Sequence, residues 1–160
     1  MRPTLFLGTP YMKMSIACLA AAAAFVAAQP AAQAQTWQRS GMKQGYYAAY
    51  TGNADGARLR VDCGQSDEVL SITYIPRRAP ASARSAAGAI VIDGRRFAGS
   101  FEVAGDEIKV GADDLDSLEL VKDAVAHMRN GRSLTIELPQ LRLRDSFALN
   151  GAAQALGRCR

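Results

Sequence analysis

Histidine is nearly absent from this 160-residue chain, where His127 is the only one. A serine-nucleophile triad has only that imidazole to use, and no G-x-S-x-G sequence accompanies it. A metal site needs several nitrogen or sulfur ligands, and beyond His127 the chain offers three cysteines. Aromatics make up 7% of the residues, with a single tryptophan. No run of about 20 strongly apolar residues exists to anchor the chain in a membrane. There is no EF-hand pattern, no internal repeat and no second domain. No cofactor is expected.

What is present begins with a leader. Met12-Lys13-Met14 supplies a positive start, and Ile16 to Ala28 is an apolar, alanine-rich run. Ala32-Gln33-Ala34 places small residues at the two positions that a signal peptidase reads. The residues before Met12 precede the charge, which leaves Met12 open as the true start. Cys18 offers a lipoprotein alternative, but Ser15 stands where that signal wants an aliphatic side chain. The reading is a signal peptide over 1–34 and a single β-rich domain over 35–160, periplasmic or secreted, with no transmembrane anchor after cleavage. The leader holds two of the 19 basic residues and no acid, so the formal charge drops from +4 to +2. A charge this small does not imply nucleic acid.

The mature chain keeps Cys63 and Cys159. An even count in an exported domain reads as one disulfide. Each cysteine falls on the apolar face of its element. In Ala57 to Cys63, Leu59, Val61 and Cys63 face one way, and Arg58, Arg60 and Asp62 the other. In a short last helix from Ala152 to Arg160, Ala152, Leu156 and Cys159 share a side.

Between these points the pattern is mostly of period two. Gly45 to Thr51 reads as a first strand, with Tyr46 and Tyr50 on one face and Tyr47 on the other. Glu68 to Ile75 is a third strand. Pro76 to Gly88 has no periodicity and reads as an exposed loop. Ala89 to Val110 reads as a three-stranded meander turning at Asp93-Gly94, the strongest hairpin signal present, and at Gly105-Asp106. Leu115, Leu118, Val121, Val125 and Met128 then recur at helical spacing, predicting an amphipathic helix of about four turns. Acids crowd its start, where they oppose the macrodipole, and Asp116 with Glu119 imitates a capping box. Ser133 to Leu138 resumes strand alternation. Leu141 to Leu149 continues it, except that Asp145 falls on the apolar side, and a bulge there would resolve the conflict. The expected fold is mainly β (α+β): an antiparallel β-sandwich with one long amphipathic helix and a short C-terminal helix.

Two residue sets are candidate binding groups. Arg77, Arg78, Arg84, Arg95 and Arg96 flank the meander, with Arg142 and Arg144 on the last strand, and suit an anionic partner. Their competing reading is a solvated, charged face that protects sheet edges. Trp37, Tyr46, Tyr47 and Tyr50 suit a platform that stacks on sugar rings, or are ordinary strand aromatics with Trp37 sealing an open end. His127 reads as a packing residue, and no catalytic residue is assigned.

Thr36-Trp37, Leu59-Arg60-Val61-Asp62-Cys63 and Ile92-Asp93-Gly94, with the closing Phe147-Ala148-Leu149-Asn150-Gly151 and Ala153 to Cys159, carry a resemblance. The ending resembles that of the type VI secretion-associated VasI/TagO proteins. The order of elements resembles the invasion-associated locus B family. Both resemblances imply an exported β-sandwich that acts through its surface and supply no catalytic residues. The expected function is therefore an exported cell-envelope or secreted, non-enzymatic binding protein. Its partner is an envelope protein or anionic envelope component. The alternative is an envelope glycan hydrolase or an inhibitor of one.

Overall fold

The computed structural model describes residues 36–64, 70–80, 83–111 and 114–159. The expected leader, Cys18, the cleavage site, Glu68 and Asp113 lie outside these residues. Within them the chain is mainly antiparallel β. The strands are β1 (Gln38–Arg39), β2 (Tyr47–Gly52), β3 (Arg58–Cys63), β4 (Ser71–Ile75), β5 (Ser85–Ile92), β6 (Arg95–Ala104), β7 (Glu107–Gly111), β8 (Ser133–Leu138) and β9 (Leu143–Ala148). Helix α1 (Leu115–Met128) joins β7 to β8, and α2 (Ala152–Leu156) follows β9. All pairings are antiparallel, and the strands bond into one sheet in the order β1-β2-β3-β4-β7-β6-β5-β8-β9.

That sheet curls. β4 and β9 lie five places apart, about 24 Å in a flat sheet. Yet the Tyr74 and Phe147 rings meet edge to face with centroids 6.3 Å apart. The two edges also approach one another. Trp37, just before β1, donates its indole N–H to the Ala148 carbonyl of β9 at 3.0 Å. Alternate residues of each strand fill the enclosed space, among them Leu59, Val61, Ile72, Ile90, Phe101, Ile108, Leu134 and Ile136, all essentially inaccessible to water.

The Asp93-Gly94 turn forms as expected. Its two φ angles, 47° and 89°, are the left-handed pair that a two-residue hairpin needs. The Asp93 carboxylate also accepts from the backbone N–H groups of Arg132 (2.9 Å) and Ser133 (3.0 Å), tying this hairpin to the start of β8.

Several sequence expectations need correction. β5 begins at Ser85, so the connection after β4 is shorter than a Pro76–Gly88 loop. Its small residues give no apolar period, but tight packing demands them. A Cβ on Gly88 would sit 2.6 Å from the Glu137 carbonyl oxygen and 2.5 Å from Leu138 Cδ2. The helix is capped by Asp114, which accepts from Ser117 N at 2.8 Å, and not by an Asp116–Glu119 box. Val121, Ala124, Val125 and Met128 are buried, whereas Leu115 is 79% exposed and outside the stripe. Leu120 packs so closely on β6 that a Cβ on Gly99 would lie 2.6 Å from its Cδ1. Residues Pro139–Leu141 form a 3-10 turn that ends on Arg142 at φ 53°, so Arg142 is not a strand neighbour of Arg144. β9 pairs with β8 without interruption, and no bulge relieves Asp145.

Cys63 and Cys159 form a disulfide with Cα atoms 5.1 Å apart and a sequence separation of 96. Both are buried. The bridge fixes the C-terminal turn to the end of β3. Tyr47 reinforces it, donating its hydroxyl hydrogen to the Leu156 carbonyl while Arg39 stacks 3.7 Å from the ring centroid.

Candidate functional site

The five arginines singled out from the sequence separate into two groups. Arg95 and Arg96 sit beside the Asp93-Gly94 turn, and both are occupied. Arg95 donates to His127 Nε2 at 2.8 Å and lies 5.3 Å from the Phe97 ring centroid. Arg96 is paired with Glu137, which Arg144 also approaches at 3.6 Å. The single Glu137 carboxylate is shared by two guanidinium groups and the His127 partner of Arg95 is neutral, so these arginines have partners in the fold without being fully neutralised.

Arg77, Arg78 and Arg84 occupy the opposite end. Arg77 and Arg78 follow β4, and Arg84 precedes β5, so one connection carries all three. Its two ends are fixed by the sheet. Ile75 pairs with Arg58, and the Arg84 carbonyl accepts from Val103 N at 2.9 Å. Two strands separate β4 from β5, about 15 Å. The described ends of this connection, residues 76–80 and 83–84, therefore lie on either side of the β6–β7 turn. Arg77 lies along the β2–β3 turn, where its Cδ is 3.8 Å from the place a Cβ on Gly56 would take. Arg58, at the start of β3, joins the same rim. All four guanidinium groups are on exposed residues, and none has an ion pair among the described residues. The acids near this end are Asp55 and Asp106 in the adjoining turns, Glu102 opposite Ser85, and Glu107, which Arg60 approaches at 3.5 Å. The sequence placed Arg58 only on a polar strand face. The β2–β3 turn signal at 53–56 is what brings it to the rim.

The four aromatics do not form one platform. Trp37 and Tyr47 are buried and their polar atoms are used inside the fold. Tyr46 and Tyr50 point the other way, 46% and 41% exposed. Lys43 and Tyr46 exchange both backbone hydrogen bonds at 2.8 Å around Gln44-Gly45, whose φ angles are 49° and 83°. Three residues, 40–42, then face the two residues 47–48, a bulge in which Ser40 Oγ, not its carbonyl, accepts from Ala48 N at 2.8 Å. Beside this hairpin lies a cleft of about 610 Å³, lined by Ser40, Lys43, Tyr46, Ala48 and Asp62.

His127 is engaged at both ring nitrogens. Nδ1–H donates to the Asp123 carbonyl at 2.8 Å, which leaves Nε2 to accept from Arg95. The ring tilts against Phe97 at 5.2 Å. Both ring nitrogens are thus hydrogen-bonded within the fold.

The sheet interior holds the polar group that the sequence flagged without explaining. Asp145 shares its face of β9 with Leu143 and Phe147, and its carboxylate accepts from the Tyr74 hydroxyl and, at 3.2 Å, from Asn53 Nδ2. Burial, then the bond and charge of Asp145, push the Tyr74 phenol well above its ordinary range. Hydrogen bonds from Arg132 and Ser133 hold the Asp93 carboxyl below its ordinary value, and those from Ser117 do the same for Asp114. Among the described residues no helix is long and apolar enough to cross a membrane.

The model of the family described as YfjT matches residues 35–156. No curated protein and no solved structure matches the chain.

Proposed function

The chain belongs to the YfjT family, and we propose, from its sequence and its arginine rim, that it is an exported, non-enzymatic binding protein of the cell envelope, periplasmic or secreted. It engages an anionic envelope component, or an acidic face of an envelope protein, through the rim of Arg58, Arg77, Arg78 and Arg84. The observation that carries this reading is the contrast between the two arginine groups. Arg95 and Arg96 have partners in the fold, and the rim arginines have no ion pair among the described residues. Guanidinium forks suit carboxylate and phosphate, and four on one rim attract such groups before contact.

The leader read over 1–34 supports export, and the Cys63–Cys159 disulfide suits an oxidising compartment. The two halves of the curled sheet are read as the layers of a sandwich, the form implied by the resemblance to the VasI/TagO and invasion-associated locus B proteins. The absence of a free imidazole on His127 favours binding over hydrolysis.

The reading is tested by a pulldown from the host's own envelope with the wild-type protein and with Arg77→Glu/Arg78→Glu. The expected result is a captured species that the reversed protein loses. Equal capture by both contradicts it.

A further inference from the structure

A second binding site lies away from the arginine rim. We infer that the cleft beside the 40–47 hairpin holds one sugar unit of a glycan, stacked on Tyr46 and hydrogen-bonded by Asp62, Lys43 and Ser40.

The inference starts from the outward face of β2. Tyr46, Ala48 and Tyr50 alternate outward, so a methyl group stands between two exposed phenols. Ala48 pairs with Asp62 across β3, and on its other side Ser40 accepts from its N–H. The small residue therefore floors a hollow, with Tyr46 as one wall and polar groups on both flanks. Tyr50 is the next outward side chain along β2. The two tyrosine Cα atoms are four residues apart, about 13–14 Å.

The polar groups have capacity to spare. Asp62 Oδ2 accepts from Arg60 Nε at 3.0 Å and Ser71 Oγ at 3.4 Å, which fixes the carboxylate. Its Oδ1 has no hydrogen-bond partner among the described residues. Lys43 is exposed at the hairpin tip. One acceptor anion and one donor cation thus face the same hollow beside a phenol ring. A charged ligand of either sign would meet one of them unfavourably. A pyranose meets all three demands. Its hydroxyls both donate and accept, and its C–H face stacks on an aromatic ring. The bulge at 40–42 and the tight Gln44-Gly45 turn hold the wall in place, and Tyr47 anchors the same hairpin to α2.

The probes are soluble tetramers of the uncharged sugars N-acetylglucosamine, glucose and mannose, titrated into the disulfide-intact protein and followed by NMR. At least one is expected to shift resonances of Tyr46, Ala48 and Asp62. Tyr46→Ala is expected to weaken that binding about tenfold or more. Ala48→Leu, which fills the hollow and keeps the strand, should abolish it. Arg77→Glu should leave it unchanged, which separates this site from the rim. The inference is overturned if no tetramer moves these resonances. It is also overturned if the shifts survive Ala48→Leu in a protein whose other resonances show it folded.

Discussion

Tyr74 donates its hydroxyl hydrogen to the carboxylate of Asp145 across the interior of a sheet in which their strands lie five places apart. This bond, with Asn53, is how the fold accommodates an acid on an apolar strand face. Removing the hydroxyl leaves the carboxylate short of a donor. Tyr74→Phe is therefore expected to cost about 1–3 kcal/mol in denaturant unfolding at neutral pH. The pH dependence has a definite sign. The folded phenol resists ionisation and the unfolded one does not. The Tyr74 contribution is complete below the ordinary tyrosine value of about 10 and is lost progressively above it. The gap between wild type and Tyr74→Phe should narrow as the pH is raised past that point. A gap independent of pH contradicts the role assigned to the bond.

Asp93 makes the opposite prediction. Its carboxyl is held below the ordinary carboxylate value by the Arg132 and Ser133 donors, so its contribution is present above about pH 4 and fades as the pH falls. Asn at this position keeps the turn preference and loses the charge. Asp93→Asn should be less stable than wild type at neutral pH and should converge on it in acid. Unfolding curves at both pH values decide this.

The disulfide spans 96 residues, and chain-entropy arithmetic gives about 4–5 kcal/mol for a loop of that order. Cys63→Ser/Cys159→Ser should lower the denaturant midpoint by that scale. Titration of the unreduced, denatured wild-type protein should find neither of these two sulfurs reactive. Two reactive thiols contradict the bridge.

The parts of the fold written in local chemistry were legible in the sequence. Asp93-Gly94 announces its turn because few residues tolerate two left-handed φ angles, and Leu59, Val61 and Cys63 alternate because one strand face is buried. Other parts depend on partners distant in sequence. Nothing near Asp145 reveals that Tyr74 will meet it, because that contact exists only once the sheet curls. Gln44-Gly45 is a poor turn signal, since glutamine rarely takes a positive φ, so β1 and the 40–42 bulge were hidden. The arginine set was readable as a set but not as two groups. Pairing of Arg96 with Glu137 and of Arg95 with His127 follows from strand register and helix placement, not from spacing.

His127→Gln removes the imidazole and keeps a polar side chain beside Arg95. It is expected to cost no more than about 1 kcal/mol of stability and to leave partner capture intact. Loss of activity in a folded His127→Gln protein would overturn the non-enzymatic reading and favour a hydrolase with its base on α1.

The salt dependence of association tests the central claim most directly. Wild type and Arg77→Glu/Arg78→Glu are compared for binding to the captured envelope component, or to vesicles of phosphatidylglycerol against vesicles of phosphatidylcholine, at low and high salt. The account predicts that wild type binds the anionic surface more tightly, and that salt weakens this binding. It also predicts that the reversed protein loses both the tightness and the salt response. Equal binding by the two proteins at low salt would contradict a functional role for the arginine rim.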